Sequence, residues 1–442
     1  MHFPPTESLD ARAYEDLARR FVLRTSPLRQ LYSTRVDGAS FWDQNGKRYL
    51  DFTSKAICVS LGYDRREILD ALHQQLELGT YSAPYELNPR QLELAAMMAR
   101  IAPSPLRRST FYSSGSEAME AGLKIARRAT GRLKVVSYWG SYHGSTEGAL
   151  AASGAVAYRG SYEPQVAGYV HLPAPDTLRG MSLETHLRLL ESSIAYEDPS
   201  EIAAVVIEPV LSGGVLETPA PYLARLRELT AEFGIVLIFD EVITGFGRTG
   251  TMFYCQQAGV TPDILIGAKG MSSSYVPCSV AMVTDDVAER LHVVSEEDFS
   301  GYLSRGHHLL TSQNHPLACT AALATISYIL EQNLLYRVSA GGRRLLDGLC
   351  ELANRHPRLR RARGIGLIAG VEVVQPDDVF AGDVGLAERI AREAERRGLI
   401  VGTMRNRLPN SALLLLAPPL TVSDAEIDEA LSVLEAAVDS TA

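Results

Sequence analysis

"IVLIFDEVITGFGRTG", residues 235–250, is the stretch whose reading decides the fold. Five apolar residues, Ile235 to Phe239, run without interruption into Asp240 and Glu241, and the chain then breaks on Gly245, Gly247 and Gly250. A short continuous apolar run is the pattern of a strand covered on both faces, as in a parallel sheet. Carboxylates at the end of such a strand are costly to bury unless a cation meets them. Asp240 therefore either caps a loop at the sheet edge or is the anionic partner of a buried cation.

Outward from that run the chain alternates strand and helix. "STFYSS" (109–114) runs straight into the helical "GSEAMEAGLKIARRATG", where Met119, Leu123 and Ala126 share one face and Gly131 follows the last turn as a cap. Strand-like segments recur at "KVVSYW", "IAAVVIEPV", "PDILIGA" and "VPCSVAMV", and "PYLARLRELTAEFG" is a helix bounded by Pro221 and Gly234. "REILDALHQQLELG" has helical spacing and stops at Gly79. The alternation predicts an α/β layered domain around a mostly parallel sheet, over residues 66–328. Before it, "RVDGASFWDQNGKRYLDF" reads as a hairpin turning on Asn45-Gly46. After it, helices alternate with short strands at "GLIAGVEVV" and "ALLLLAPPL", and Ser423 with Glu426 forms a capping box before the last helix. Residues 1–65 and 329–442 are expected to pack together as a small α+β domain.

Composition excludes several classes of function. A formal charge of -9 over 442 residues, with no basic run, argues against nucleic acid and anionic membrane surfaces. The opening residues are polar and acidic, unlike a targeting peptide, and the longest apolar stretches are too short to span a bilayer. Five scattered cysteines with no Cys-x-x-Cys spacing read as free thiols in the cytoplasm rather than as disulfides or a metal site.

In a doubly wound sheet, ligands gather at the carboxyl ends of the strands. After "STFYSS" come Ser114, Gly115 and Ser116 at a helix start: either an ordinary N-cap or a phosphate cradle of free backbone N–H groups and positive dipole. "KVVSYW" is followed by Tyr142 and His143, "IAAVVI" by Glu208, "IVLIF" by Asp240, and "PDILIGA" by Lys269. A lysine at a buried strand end is a poor structural choice and a good catalytic one, because desolvation makes the amine nucleophilic toward carbonyls. An anion cradle, an aromatic ring, a carboxylate and an amine together suit pyridoxal 5'-phosphate.

The blocks "FYSSGSEAMEAGLKIAR", "SYHGST", "IEPV", "DEVITGFGRTG", "PDILIGAKG" and "HPLACTAALA" closely resemble the class III (ω-) aminotransferases among the fold-type-I pyridoxal-phosphate enzymes, over roughly residues 30 to 435. "GTMFYCQQAGVTPDIL", "LETPAPYL" and "LAPPLTVSDAEID" are similar to dialkylglycine decarboxylases, while "LGYDRREILDAL" and "DEVIT" are similar to amine:pyruvate transaminases. The resemblance implies a seven-stranded, mostly parallel sheet between helices, a small α+β domain from both termini, and pyridoxal phosphate as cofactor. By the same resemblance Lys269 carries the cofactor's aldehyde and shuttles a proton, and Asp240 keeps the ring nitrogen protonated. Val242 and Tyr142 take the two ring faces, and Ser114, Gly115 and Ser116 bind the phosphate. His143 and Glu208 lie beside the cofactor, each either holding structure or assisting chemistry; Arg248 fixes its loop. Thr311, before "NHPL", would reach the phosphate of a neighbouring subunit, which implies a homodimer.

Two departures from the family concern substrate. Many relatives place a carboxylate-binding arginine where "ALLLLAPPL" has Leu415, and a glutamate where this chain has Gly213. Arg405 and Arg407 in "GTMRNRLPN" are either a mobile carboxylate clamp or a solvated basic loop. The expectation is an aminotransferase whose carbonyl or amine substrate lacks a conventionally bound α-carboxylate. Decarboxylation or racemisation is the alternative; a non-catalytic paralogue is opposed by the retained Lys269.

Overall fold

The computed structural model describes residues 17, 19–23, 33–291, 308–405 and 410–441, with Arg179 and Arg405 in their backbone only. It opens on β1 (Arg35–Asp37), β2 (Ser40–Trp42) and β3 (Arg48–Asp51). The β2–β3 hairpin turns at Asn45-Gly46 as the sequence predicts. Asp43 Oδ1 accepts from the amides of Asn45 (2.8 Å) and Lys47 (2.9 Å), and Gly46 takes a left-handed φ of 77°.

The central sheet comprises β4 (Leu106–Tyr112), β5 (Lys134–Tyr138), β6 (Tyr169–Leu172) and β7 (Ile202–Ile207). After the small β8–β9 hairpin (Val210–Leu211, Leu216–Glu217) it continues with β10 (Val236–Asp240), β11 (Ile264–Gly267) and β12 (Ser279–Thr284). The strand order is β4-β12-β11-β10-β7-β5-β6. β12 is antiparallel to both neighbours, and the other pairs are parallel. Parallel neighbours require crossovers, and these bring helices onto both faces. Alternate residues of β10 accordingly enter different cores. Leu237 and Phe239 pack with Tyr222 and Leu226 of α1 (Ala220–Glu232), whereas Val236 and Ile238 pack with Met119 and Leu123 of α2 (Gly115–Thr130). The edge strand β6, "YVHL", carries no long apolar run and is half-buried, so periodicity does not announce it.

The chain's two ends share a second sheet, because β15 (Leu399–Ile400) pairs in parallel with β3. A third sheet, in the order β13-β14-β17-β16, contains Leu359–Ile365, Ile368–Val373, Ala412–Leu416 and Gly402–Arg405. The final helix, α3 (Asp424–Asp439), starts on the expected capping box: Ser423 Oγ accepts from the Glu426 amide at 3.3 Å and Glu426 Oε2 from the Ser423 amide at 2.8 Å. Among the described residues no helix is long and apolar enough to cross a membrane.

Candidate active site

β4, β5, β7, β10 and β11 all end on one edge of the central sheet, and a cavity of about 840 Å³ lies there. It is lined by Ser114, Gly115, Ser116, Tyr142, His143, Glu208, Asp240, Val242, Lys269 and Leu415, so separate strand ends converge on one space. Among the described residues no cluster of side chains suited to a metal ion is present.

The two carboxylates that end β10 divide their work. Glu241 points away from the cavity and is fully buried, accepting from the amides of Tyr254 (2.6 Å) and Cys255 (2.9 Å) and from Thr244 Oγ1 (2.9 Å). Burial pushes its carboxyl upward, and those hydrogen bonds oppose the shift. Asp240 lines the cavity at 5 % exposure. Its Oδ1 accepts from the Val242 amide at 3.0 Å and its Oδ2 meets His143 Nδ1 at 2.8 Å. An ionised carboxylate only accepts, so Nδ1 carries the proton, and Nε2 of the same ring is buried without a partner among the described residues.

Lys269 follows β11 in a short 3₁₀ turn, Lys269–Met271, with a left-handed φ of 45°. A non-glycine residue held there is strained, which requires over-determined surroundings. The preceding Gly267 shows how tight they are: a Cβ on it would come within 2.9 Å of Phe246.

Ser114 caps α2, its Oγ accepting from the Glu117 amide at 3.2 Å, while Glu117 Oε2 accepts from the amides of Ser113 and Ser114. The Gly115 and Ser116 amides, in the first turn, have no intrahelical acceptor and face the anionic position at the helix start. The capping and the cradle readings of Ser-Gly-Ser are thus compatible. A Cβ on Gly115 would press Val242 at 3.2 Å, narrowing the cradle. Ser116 Oγ accepts from the Ser145 amide at 3.1 Å and ties the Tyr142 loop to the same helix. Glu208 uses both oxygens on backbone, accepting from the amides of Tyr142 (2.7 Å) and Ser212 (3.0 Å), so it joins the loops after β5 and β7. The Tyr142 hydroxyl lies 2.7 Å from Ser145 Oγ, and its ring packs on Tyr158.

Across the cavity the wall is irregular, and of its residues sequence reasoning singled out only Leu415. Ser54, Lys55, Ala56 and Ile57 have φ of 44°, 45°, 62° and 64°, a left-handed turn without a glycine. Such a turn costs roughly 1–2 kcal/mol per residue. Asp51, fully buried, holds it: Oδ1 accepts from the Thr53 amide (3.0 Å) and hydroxyl (2.7 Å), and Oδ2 from the Lys55 amide (3.0 Å) and the Tyr63 hydroxyl (2.9 Å). Burial first and the Asp51 charge second raise the Tyr63 phenol, which keeps it a donor. Leu415, 2 % exposed, packs with Ile57, Val215 and Ile368 and gives the cavity an apolar floor. Arg248 lies outside this wall and donates through Nη1 to the carbonyls of Leu367 and Pro418; burial lowers its guanidinium to about 10.

Other sequence candidates are not brought to the cavity. Gly213 lies in the β8–β9 connection and is not part of the lining. Thr311 is exposed, outside the cavity of its own chain, and its carbonyl accepts from the Tyr81 hydroxyl at 3.0 Å. Arg407 and the side chain of Arg405 lie outside the described residues.

A mostly parallel sheet with a buried acid, a strained lysine and an open helix N-terminus on one rim defines a fold-type-I pyridoxal-phosphate enzyme. The chain belongs to the class-III aminotransferases: the family "Aminotransferase class-III" matches residues 24–438. It is 31 % identical to an uncharacterized aminotransferase, YodT, of Bacillus subtilis over 422 residues, covering 91 % of this chain and 93 % of that one. Its fold is similar to a thermostable (S)-enantioselective omega-transaminase from Thermomicrobium roseum, with a TM-score of 0.88, 34 % identity and 98 % of both chains covered. A taurine:2-oxoglutarate aminotransferase from Bifidobacterium kashiwanohense, solved with PLP and glutamate, matches with a TM-score of 0.86, 28 % identity and 98 % of both chains. The protein is a pyridoxal-phosphate-dependent aminotransferase.

Proposed function

We propose that this aminotransferase exchanges an amino group between a carboxylate-bearing partner and an amine or carbonyl compound with no conventionally bound α-carboxylate. The observation that carries the reading is Leu415, buried in an apolar cluster on the cavity floor, where a forked cationic donor would be needed for bidentate carboxylate recognition. The similarity to an omega-transaminase and to an aminotransferase named for taurine supports it.

In this reading Lys269 would hold the cofactor through its aldehyde and would hold the proton exchanged with the substrate Cα. The Gly115 and Ser116 amides, with the Ser114 and Ser116 hydroxyls, bind the phosphate. Asp240, fixed by His143, would hold the ring nitrogen protonated, and Val242 and Tyr142 would enclose the ring. When bound, the cofactor supplies an electron sink for the substrate carbanion. Glu208 positions the Tyr142 loop and keeps it over the site.

A homodimer with shared sites accompanies the proposal. It is supported by Thr311 lying exposed outside its own cavity, beside the exposed Tyr81. Division into residues 66–328 and a small domain from 1–65 and 329–442 is supported by the sheet that β15 shares with β3. A cytoplasmic location is supported by five free cysteines.

The test mixes purified holoenzyme with primary amines and with α-amino acids and follows cofactor absorbance. The reading expects amines without an α-carboxylate to react at least as efficiently as alanine or glutamate. Reaction with α-amino acids alone would overturn it.

A further inference from the structure

We propose that Lys55 is the residue that receives the carboxylate of the carboxylate-bearing partner, whether amino-acid donor or keto-acid acceptor. The inference rests on the reading above, in which such a partner alternates with a carboxylate-free amine in one cavity.

Among the described lining residues, two are lysines and none is an arginine: Lys269 and Lys55. Lys269 is committed to the cofactor, so recognition of a substrate carboxylate in this part of the cavity falls to Lys55. Its position is enforced from the backbone. The turn Ser54–Ile57 is left-handed throughout, and the buried Asp51 accepts from the Lys55 amide at 3.0 Å, which fixes where the side chain leaves the wall. A residue held in that conformation without being glycine is the kind of local cost that persists at ligand clamps. The ammonium stands 4.0 Å from the centroid of the Phe41 ring, itself buried and part of the lining. A ring face attracts an ammonium through its quadrupole, so the cation is steadied at the cavity lining. The neighbouring floor is Ile57, Met404 and Leu415. Lys55 is exposed at the edge of that apolar floor, within reach of a carboxylate entering the cavity. The same floor accepts the side chain of an amine with no carboxylate, for which Lys55 stays on Phe41. One lysine with a long flexible stem thereby serves two unlike substrates, a task for which a rigid arginine fork on the floor is less suited.

The experiment uses the full-length holoenzyme and the variants Lys55→Met and Lys55→Arg, followed by stopped-flow absorbance in single half-reactions. L-Alanine and L-glutamate are the carboxylate-bearing probes, and benzylamine is the carboxylate-free one. Lys55→Met keeps the apolar stem, and unchanged cofactor absorbance reports that fold and cofactor site survive. Lys55→Met is expected to raise the saturation constant for both amino acids roughly tenfold to a hundredfold while the limiting rate falls much less. The benzylamine half-reaction should stay within about twofold of wild type. Lys55→Arg should recover a substantial part of the loss. Unchanged amino-acid kinetics in Lys55→Met overturns the inference, as does an equal loss with benzylamine. Selective loss in Arg405→Ala or Arg407→Ala, with Lys55→Met unaffected, also overturns it and moves the clamp to the loop after β16. A wild-type enzyme that reacts with amino acids but with no amine defeats the underlying reading before any variant is made.

Discussion

Along the rim of the central sheet, Ser114, Asp240 and Lys269 stand where β4, β10 and β11 stop, whereas across the cavity Lys55 and Ile57 stand on a left-handed turn and Leu415 on a strand of another sheet. The rim is placed by regular structure. Asp240 pairs with Ile266 in the register that joins β10 to β11, so the acid and the lysine after Gly267 are held relative to each other by a ladder of backbone hydrogen bonds. The facing wall is placed by one buried carboxylate, Asp51, and by apolar packing around Leu415. A chemistry shared by a whole family can rest on a ladder that tolerates little change. Substrate choice can rest on a turn and a floor whose side chains vary without breaking that ladder. The two walls should therefore fail differently when altered.

The rim gives the largest effect. Lys269→Ala removes the amine proposed to carry the aldehyde and handle the proton, and steady-state turnover should fall by at least ~10³-fold. Asp240→Asn keeps the shape and the Val242 contact but removes the anion proposed to face the ring nitrogen, and should also cost orders of magnitude with the fold intact. Both losses should be the same for every substrate, as measured by turnover with an amine and with an amino acid. Near-normal turnover in Lys269→Ala without added amine would remove Lys269 from its assigned role.

An intermediate effect is expected where a second copy enters. If Thr311 reaches the phosphate of a partner subunit, Thr311→Ala should weaken cofactor retention by roughly tenfold to a hundredfold, the value of one hydrogen bond to a charged group. Sedimentation and cofactor absorbance at falling protein concentration provide the check. A monomer that keeps both cofactor and activity would show that each site is complete within one chain.

The sequence made the rim legible because periodicity and punctuation mark it. Apolar runs end at Asp240 and at Ala268 before Lys269, a capping signature begins at Ser114, and Gly131 closes the helix that follows. Those signals depend on local backbone chemistry, which a single chain displays. The Asn45-Gly46 hairpin was readable for the same reason. The facing wall was not readable. Four residues of "TSKAIC" adopt positive φ, and none is glycine or asparagine, so no residue type announces the turn. Asp51, which holds it, ends a short strand and looks like any surface acid until Tyr63 and the Thr53 and Lys55 amides close around it. Leu415 could be noticed only as the absence of a charge, and its neighbours Ile57 and Val215 lie far away in the chain. β6 escaped for a related reason, since four half-buried residues carry too little pattern to mark a strand.

The smallest effect should come from the wall, and its form separates the two regions most sharply. Asp51→Asn changes one oxygen into an NH₂ group with almost no change of volume. The retained oxygen can still accept from the Thr53 amide and hydroxyl. On the other side the new NH₂ faces two donors, the Lys55 amide and the Tyr63 hydroxyl, each of which loses an acceptor. A buried donor left without an acceptor costs about 1–3 kcal/mol, partly relieved because the Tyr63 hydroxyl can rotate and accept instead. Global stability should therefore drop by about 1–2 kcal/mol, read as a lower midpoint of denaturant unfolding at unchanged slope. Cofactor absorbance should be unaltered, because Asp240, Lys269 and the Ser114–Ser116 cradle are held by the central sheet and its helix. Loosening the turn frees the strained residues to relax, and Lys55 leaves its place over Phe41. Amino-acid half-reactions should slow several-fold through a weaker saturation constant, with benzylamine nearly unaffected. An Asp51→Asn enzyme that loses its cofactor, or slows equally toward every substrate, would show that the left-handed turn supports the rim as well and that the two walls form one mechanical unit.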